Sequence, residues 1–231
     1  MAEEYDRTVP KAPPKIPRFE KREALVEAAL ASLAALGPAR VQPSDLCEEL
    51  GLSKALVNYH FGGRDGLLAE AMALGYERYV ETLWRAAQNA GPDPLERLMA
   101  WFTEQIHWTV ANAGLAVALN FPHVAAGLPG TIAPEIEERL ASSGRRNFTN
   151  LTTLVKSARL HLAQGQPKGD EVAVADAAVI GWTCLGMSVW FAGDHTPTRP
   201  YRKRASVDAA VAHVRTLVTL MLSGDATGLQ A

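Results

Sequence analysis

The sequence predicts an all-α fold in which three short helices precede a larger helical domain. From residue 19 onward, apolar residues recur at intervals of three and four, the spacing that buries one face of a helix. We find no convincing alternation of apolar and polar residues of the kind that a half-exposed strand shows. Glycine and proline divide the pattern into segments of helical length. We therefore expect a flexible arm at 1–18, a small helical domain at 19–66 and a larger helical domain at 67–231.

The composition is that of a folded globular protein without a bulk attraction to nucleic acid. The 231 residues are 48% hydrophobic and 21% charged, and the formal net charge is −2. Any contact with nucleic acid must therefore come from a local patch. Cys47 and Cys184 lie far apart and outside any CxxC or Cys/His cluster. We expect neither a metal site nor a disulfide framework, which fits a reducing cytoplasm.

The sequence has no pattern typical of a secreted or membrane protein. Residues 1–20 are polar and proline-rich, without the apolar core of a signal peptide. The uncharged run at 177–193 is shorter than the ~20 residues that span a bilayer, and it contains glycine, threonine and serine. We expect a cytoplasmic protein without a membrane partner.

The first third of the chain predicts three short helices after an arm that contains four prolines. The predicted helices are 19–36, which closes at Gly37; 43–50, which begins at Pro43 and ends at Gly51; and 54–60, which is broken by Gly62 and Gly63. These lengths and breaks alone are common to many small helical domains.

The connection between the second and third helices is more informative. Gly51 can adopt the left-handed conformation that lets the next helix leave at a steep angle. Leu52 can fill the corner between the two helices, and Ser53 is a good N-cap for the third. The first amides of that helix then face outward, where a phosphate can bind. This geometry is that of a helix-turn-helix, whose second helix lies in the major groove of DNA.

The rest of the chain is also predicted to be helical. A long fourth helix opens with Leu67 and Leu68 and continues past Trp84. Further apolar stripes occupy 95–106, 136–162 with an interruption at Gly144, 172–191 and 207–221. The stretch at 172–191 is apolar almost all round, so it must be covered on every side.

The segment GLSKALVNYHFGGRDGLLAEA, from Gly51 to Ala71, closely resembles the DNA-binding region of the tetracycline-repressor (TetR) family. The shared features are an aromatic-His-Phe ending of the third helix, a small-residue break, a basic residue and a leucine pair. Here they are Tyr59-His60-Phe61, Gly62-Gly63, Arg64 and Leu67-Leu68. The resemblance is specific over about residues 20–75. Asn58 and Arg64 depart from it, because many members have tyrosine and lysine there.

The resemblance implies a set of DNA-binding residues, to which the start of the second helix adds two. The set is Gln42, Ser44, Ser53, Lys54, Ala55, Asn58, Tyr59, His60 and Arg64. The alternative for the outer face of the third helix is a solvated surface, and His60 either donates to a phosphate or caps its helix. Leu56 either packs inward or touches a thymine methyl. Asn58 can pair bidentately with adenine. In the arm, Lys11, Lys15 and Arg18 are candidates for sequence-independent affinity.

The resemblance also implies a homodimer, a near-palindromic operator in double-stranded DNA and a small-molecule effector. The last two helical patterns would form the intersubunit bundle, with a purely intramolecular core as the alternative. Aromatic and polar residues in the larger domain are candidates for the effector pocket, although each is also a candidate for the core: Trp101, Phe102, Gln105, Trp108, Phe121 and Trp182. We expect an apolar or aromatic effector.

The predicted function is therefore that of a dimeric one-component transcriptional repressor that an effector releases from its operator. The alternative is a ligand-independent DNA-binding protein or an activator of the same fold. An enzyme is not expected, because the sequence contains no GxSxG, no Walker loop and no HExxH. Accordingly, we predict no catalytic residues, no metal and no cofactor.

Overall fold

The computed structural model describes residues 20–120, 133–162, 177–181, 183–188 and 206–223. All regular structure in these ranges is helical, which confirms the predicted all-α fold. The helices are α1 (Glu20–Leu36), α2 (Pro43–Glu49), α3 (Ala55–Phe61), α4 (Arg64–Asn89), α5 (Pro94–Ala111), α6 (Ala113–Asn120), α7 (Pro134–Leu162), α8 (the helical residues 177–181 and 183–188) and α9 (Val207–Ser223). A 3-10 turn, Pro38–Arg40, connects α1 to α2.

An N-terminal core forms among α1, α2, α3, the first half of α4 and α6. Leu25, Ala29 and Leu33 recur every four residues on α1 and are fully buried. They pack with buried residues from the other four helices, among them Leu46, Val57, Leu67, Leu68 and Leu115. The three short helices are too small to enclose a core by themselves, and α4 and α6 cover the side that they leave open.

A second core forms among the last part of α4, α5, α7, α8 and α9. Its largest fully buried side chains include Phe102, Leu98, Leu154 and Ile180. Helix α7 runs unbroken through Gly144, where the sequence predicted an interruption, because a single helical glycine costs only about 1 kcal/mol relative to alanine.

Helix α4 belongs to both cores. Leu67 and Leu68 are buried in the N-terminal core, whereas Tyr79 and Leu83 are buried in the second. At 26 residues the helix is about 39 Å long. The boundary predicted between residues 66 and 67 lies inside this helix and stays a prediction.

Charged side chains tie α1 and α7 to α4 on the outside of the molecule. Arg139 of α7 bonds both Glu70 and Glu77, each at 2.8 Å, and Arg22 of α1 also bonds Glu70. Hydrogen bonding to Glu77 raises the pKa of Arg139 further above its ordinary range. Among the helices that the structure describes, none is long and apolar enough to cross a membrane.

Candidate nucleic-acid interface and internal cavity

The turn between α2 and α3 has the geometry that its sequence predicts. Gly51 has φ of +63°, in the left-handed region, which confirms its predicted role. Its N–H donates to the Glu48 carbonyl at 3.1 Å, and the next N–H, of Leu52, donates to the Cys47 carbonyl at 2.7 Å. The Leu52 side chain is half-buried against the N-terminal core. This turn fixes the direction in which α3 leaves α2.

Ser53 organises the start of α3. Its hydroxyl oxygen accepts the Ala55 N–H at 3.3 Å, and its carbonyl accepts the Leu56 N–H at 3.0 Å. The helix itself begins at Ala55, one residue later than the sequence predicted. The N-cap position is occupied by Lys54, without a side-chain cap hydrogen bond, so Ser53 lies one residue before the cap that the sequence predicted it to form.

One face of α3 points to solvent and carries four of the predicted contact residues. Lys54, Ala55, Asn58 and Tyr59 are exposed, and the Tyr59 side chain is 71% exposed. On the opposite face Val57 is buried, while Leu56 and Phe61 are half-buried against the core. A large aromatic side chain at this level of exposure is available to a partner.

The remaining predicted contacts lie beside this face. Gln42 is exposed immediately before α2, and Ser44 in its first turn donates its hydroxyl to the Asp45 carboxylate at 3.0 Å. His60 is half-buried, with its ring edge against Tyr59 at a centroid distance of 4.9 Å. Contact of these residues with DNA stays a prediction.

Arg64 has partners that the sequence analysis did not predict. Its Nε donates to the Val41 carbonyl at 3.1 Å, and another guanidinium nitrogen donates to the Pro38 carbonyl. The third contact is to Asp65 at 3.3 Å. The guanidinium therefore holds the connection between α1 and α2 against the start of α4. Its predicted phosphate contact stays a prediction.

A cavity of about 200 Å³ lies between the second core and α6. Five aromatic residues contribute to its wall: Tyr76, Tyr79, Trp101, Trp108 and Phe148. The other lining residues are Gln105, Thr109, Ala116, Leu119, Gly144, Asn147, Leu151, Ala177, Ala178, Gly181 and Leu185. None of these described residues is charged, so the cavity is an aromatic chamber with a few polar groups, which is typical of a small-molecule site.

Three of the six predicted pocket residues line this cavity: Trp101, Gln105 and Trp108. Phe102 does not, and its prediction is corrected here. It follows Trp101 on α5, so its side chain points about 100° away around the helix and is fully buried in the core, edge-on to Trp101. Phe121 and Trp182 lie outside the described residues, as do Lys11, Lys15 and Arg18 of the arm.

Tyr76, Tyr79 and Asn147 line the cavity without having been predicted. Burial raises the pKa of the Tyr79 hydroxyl well above its ordinary value of 10.0, and hydrogen bonding with Gln105 offsets this in part. Burial likewise raises the pKa of Tyr76, opposed by hydrogen bonding with Asn147. Both tyrosines are therefore neutral over the physiological pH range. In the sequence, Tyr79 belongs to the apolar stripe of α4. Such a stripe shows that a side chain points inward, but it does not show whether that side chain fills the core or lines a cavity.

Helix α6 lies between the cavity and the N-terminal core. Ala116 and Leu119 line the cavity. Leu115 and Ala118 are buried in the N-terminal core. Gly114, near the start of the helix, lies against the backbone of the turn at Gly37, where α1 ends. One helix of eight residues thus touches both the cavity and the N-terminal core.

Residues 25–71 match the model of the family described as bacterial regulatory proteins, tetR family. The N-terminal part of the chain thus carries a TetR-type DNA-binding region. A relative, the HTH-type transcriptional regulator BetI of Stenotrophomonas maltophilia (strain R551-3), is 28% identical over 131 residues. That match covers 57% of this chain and 65% of the relative, just under two thirds of its length.

Solved structures extend the likeness in fold over most of the chain. A putative transcriptional regulator from Pseudomonas aeruginosa PAO1 matches with a TM-score of 0.66 and 20% identity, covering 91% of this chain and 94% of that one. The regulator FadR from Bacillus subtilis, in complex with stearoyl-CoA, matches with a TM-score of 0.56 and 13% identity, covering 87% and 98%. The family and these relatives are transcriptional regulators rather than enzymes.

Proposed function

We propose that this protein is a dimeric transcriptional repressor that binds a near-palindromic operator and leaves it when a small molecule occupies the cavity. The observation that carries the proposal is the outward face of α3, where Lys54, Asn58 and the 71% exposed Tyr59 stand together behind a Gly51 turn. A short helix presented in this way fits the major groove of DNA. The match of residues 25–71 to the tetR family model supports the same assignment.

Within this interface the three side chains have different tasks. Asn58 reads an adenine edge through its amide, and Lys54 neutralises a phosphate. Tyr59 contacts the backbone or a base edge next to them. Gln42, Ser44, Ser53 and His60 lie around the same face and position the duplex through its phosphates.

Dimerisation is supported by apolar side chains on the last two helices. Val179 and Met187 of α8 are 49% and 37% exposed, and Leu220 of α9 is 57% exposed. Covering such side chains with the same surface of a second copy would place two α3 helices on one side of the dimer. Two recognition helices double the length of the site and give it two-fold symmetry.

The route from the cavity to the DNA-binding surface runs through α6 and α4. Ala116 and Leu119 of α6 face the cavity, whereas Gly114 and Leu115 contact the N-terminal core. A molecule that binds more tightly to one position of α6 favours the α3 orientation that goes with it. Release of DNA then follows from the difference in affinity of that molecule for the two states. The complex of FadR with stearoyl-CoA is a precedent for a bound small molecule in this fold.

The proposal is tested by a transcription assay in which a duplex selected by the full-length protein overlaps the promoter. We expect transcription to fall when the protein is added and to recover with a molecule that binds the cavity. The Tyr59→Ala variant should lose repression without losing thermal stability, because its side chain is exposed. An increase in transcription would assign an activator, and repression that no cavity ligand relieves would assign a ligand-independent DNA-binding protein.

A further inference from the structure

Three buried polar atoms of the cavity lining have no hydrogen-bond partner among the residues that the structure describes. They are Trp101 Nε1, Gln105 Oε1 and Asn147 Oδ1. The hydrogen bonds of Gln105 with Tyr79 and of Asn147 with Tyr76 lower the pKa of the two tyrosines, so the amide N–H groups donate them and the amide oxygens stay unpaired. Trp101 and Gln105 are 2% and 1% exposed, so neither side chain reaches bulk solvent. Buried polar groups are nearly always paired in folded proteins, and leaving them unpaired costs free energy. Three such atoms around one cavity therefore point to a molecule that bonds them.

The types of the three atoms restrict the chemistry of that molecule. Trp101 Nε1 is a donor only, so it needs an acceptor, whereas Gln105 Oε1 and Asn147 Oδ1 need donors. A quaternary ammonium group has no N–H and bonds none of the three. A carboxylate accepts from Trp101 but faces two carbonyl oxygens without donating to either. A hydroxyl or a primary amide offers both functions.

The charge and the shape of the cavity lining restrict the chemistry of the bound molecule further. None of the described lining residues is charged, so these residues offer an anion no counter-charge for the hydration that it would lose. The five aromatic side chains of the lining favour a flat ring, and the rings of Tyr79 and Trp108 already pack at a centroid distance of 4.6 Å with an interplanar angle of 55°. The volume of about 200 Å³ is suited to a single substituted ring, since an apolar cavity of about 150 Å³ accommodates benzene.

We propose that the cavity binds an uncharged single-ring aromatic molecule carrying both a donor and an acceptor, which bonds Trp101, Gln105 and Asn147. This proposal rests on the proposed function, because the molecule that binds the cavity is then the effector that releases the operator. It narrows the apolar or aromatic effector predicted from the sequence, because a purely apolar ligand leaves all three atoms unpaired. It also separates this protein from the FadR complex, since stearoyl-CoA carries phosphates and a long acyl chain.

The test is a titration of the full-length protein with four probes of similar size, followed by calorimetry and tryptophan fluorescence. The probes are 4-hydroxybenzamide, ethylbenzene, benzoate and phenyltrimethylammonium. We expect 4-hydroxybenzamide to bind at least tenfold more tightly than the other three. Binding of ethylbenzene, benzoate or phenyltrimethylammonium within tenfold of 4-hydroxybenzamide would overturn the proposal, as would the failure of 4-hydroxybenzamide to bind.

Variants show whether the three atoms are responsible. Gln105→Leu and Asn147→Leu should each weaken binding of 4-hydroxybenzamide at least fivefold and leave ethylbenzene unchanged or tighter. Trp101→Phe should act in the same direction. The matched control is Thr109→Val. Thr109 lines the same cavity, but its hydroxyl already donates to the backbone carbonyl of Gln105 at 2.6 Å. If these variants weaken the binding of 4-hydroxybenzamide and of ethylbenzene by the same factor, the substitutions have changed the cavity in general, which would contradict the proposal.

The same samples separate this proposal from the proposed function. Release of the operator is measured for each probe in parallel with its binding. If 4-hydroxybenzamide binds the cavity without releasing DNA, the ligand class is supported and the repressor mechanism fails. If only a charged or larger molecule releases DNA, the repressor mechanism is supported and the ligand class fails.

Discussion

Gly114 and Gly37 pack backbone against backbone at the junction of α6 with the end of α1. A Cβ at Gly114 would lie 2.8 Å from the Gly37 Cα and would overlap both the Leu33 carbonyl oxygen and the Gly37 amide nitrogen. Gly37 has φ of +75°, and its N–H donates to the same Leu33 carbonyl at 2.9 Å. Two glycines therefore allow α6 to touch the DNA-binding part of the chain at its backbone.

Gly114→Ala is expected to destabilise the protein by about 1–3 kcal/mol, because the new methyl group meets backbone atoms that cannot rotate away. Urea unfolding measures this change. Gly144→Ala is the control, since a Cβ there would meet only the Tyr76 side chain, at 3.6 Å, and alanine is the better helix former. Equal stability of the two variants would contradict the close contact between α6 and α1.

Asn58→Ala is expected to cost about 1–3 kcal/mol of operator binding and to relax base preference at one position of each half-site. The exposed side chain contributes little to folding, so thermal stability should stay unchanged. Binding to a panel of single-base operator variants measures the preference. Lys54→Ala is the comparison: it should weaken all sequences alike and lower the salt dependence of binding. Uniform weakening by Asn58→Ala would assign that residue to the DNA backbone instead.

Arg64→Lys separates two roles of this residue. A lysine keeps the charge but cannot donate simultaneously to the Val41 and Pro38 carbonyls as the guanidinium does. We expect the free energy of unfolding to fall by about 1–3 kcal/mol, as measured by urea denaturation. The exposed Arg40, changed to lysine, serves as the control. If Arg64→Lys unfolds at the same urea concentration as the unsubstituted protein, the bonds to Val41 and Pro38 do not stabilise the fold, and phosphate contact would be the role of the side chain.

The local features of the DNA-binding region could be predicted from the sequence because short-range geometry determines them. The Gly51 turn, the hydrogen bond from the Ala55 N–H to the Ser53 hydroxyl and the outward positions of Lys54, Asn58 and Tyr59 depend on residues within one or two helical turns. The partners of Arg64 could not be predicted in this way. They lie 23 and 26 residues earlier in the chain, and no sequence pattern links an arginine to backbone carbonyls so distant.

The cavity was predicted in part for a related reason. Trp101, Gln105 and Trp108 share one helix, so their spacing brings them to one side of it. Tyr76 and Asn147 reach the same cavity from α4 and α7, and only the packing of these helices brings them together. Periodicity also failed to separate Phe102 from Trp101, because both are large, apolar and buried.

The two cysteines are expected to resist alkylation in the folded protein. Both are buried, and burial raises the pKa of the Cys184 thiol from its ordinary value of 9.0 to about 12. Iodoacetamide at pH 8 should therefore label Cys184 only as fast as the protein unfolds, which mass spectrometry of a Cys47→Ala variant measures. Because the folded pKa is raised, stability should also fall as pH rises from about 9 to about 12, where the unfolded thiol ionises first. Rapid labelling under native conditions would contradict the packing of α8.

The most direct test of the central claim is selection of a binding site by the full-length protein from a library of random double-stranded DNA. The account predicts enrichment of an inverted repeat whose half-sites are centred about 10 base pairs, or a multiple of that, apart. It further predicts that Tyr59→Ala enriches nothing. Recovery of no common sequence, or of a single site without two-fold symmetry, would contradict the assignment of this protein as a dimeric operator-binding repressor.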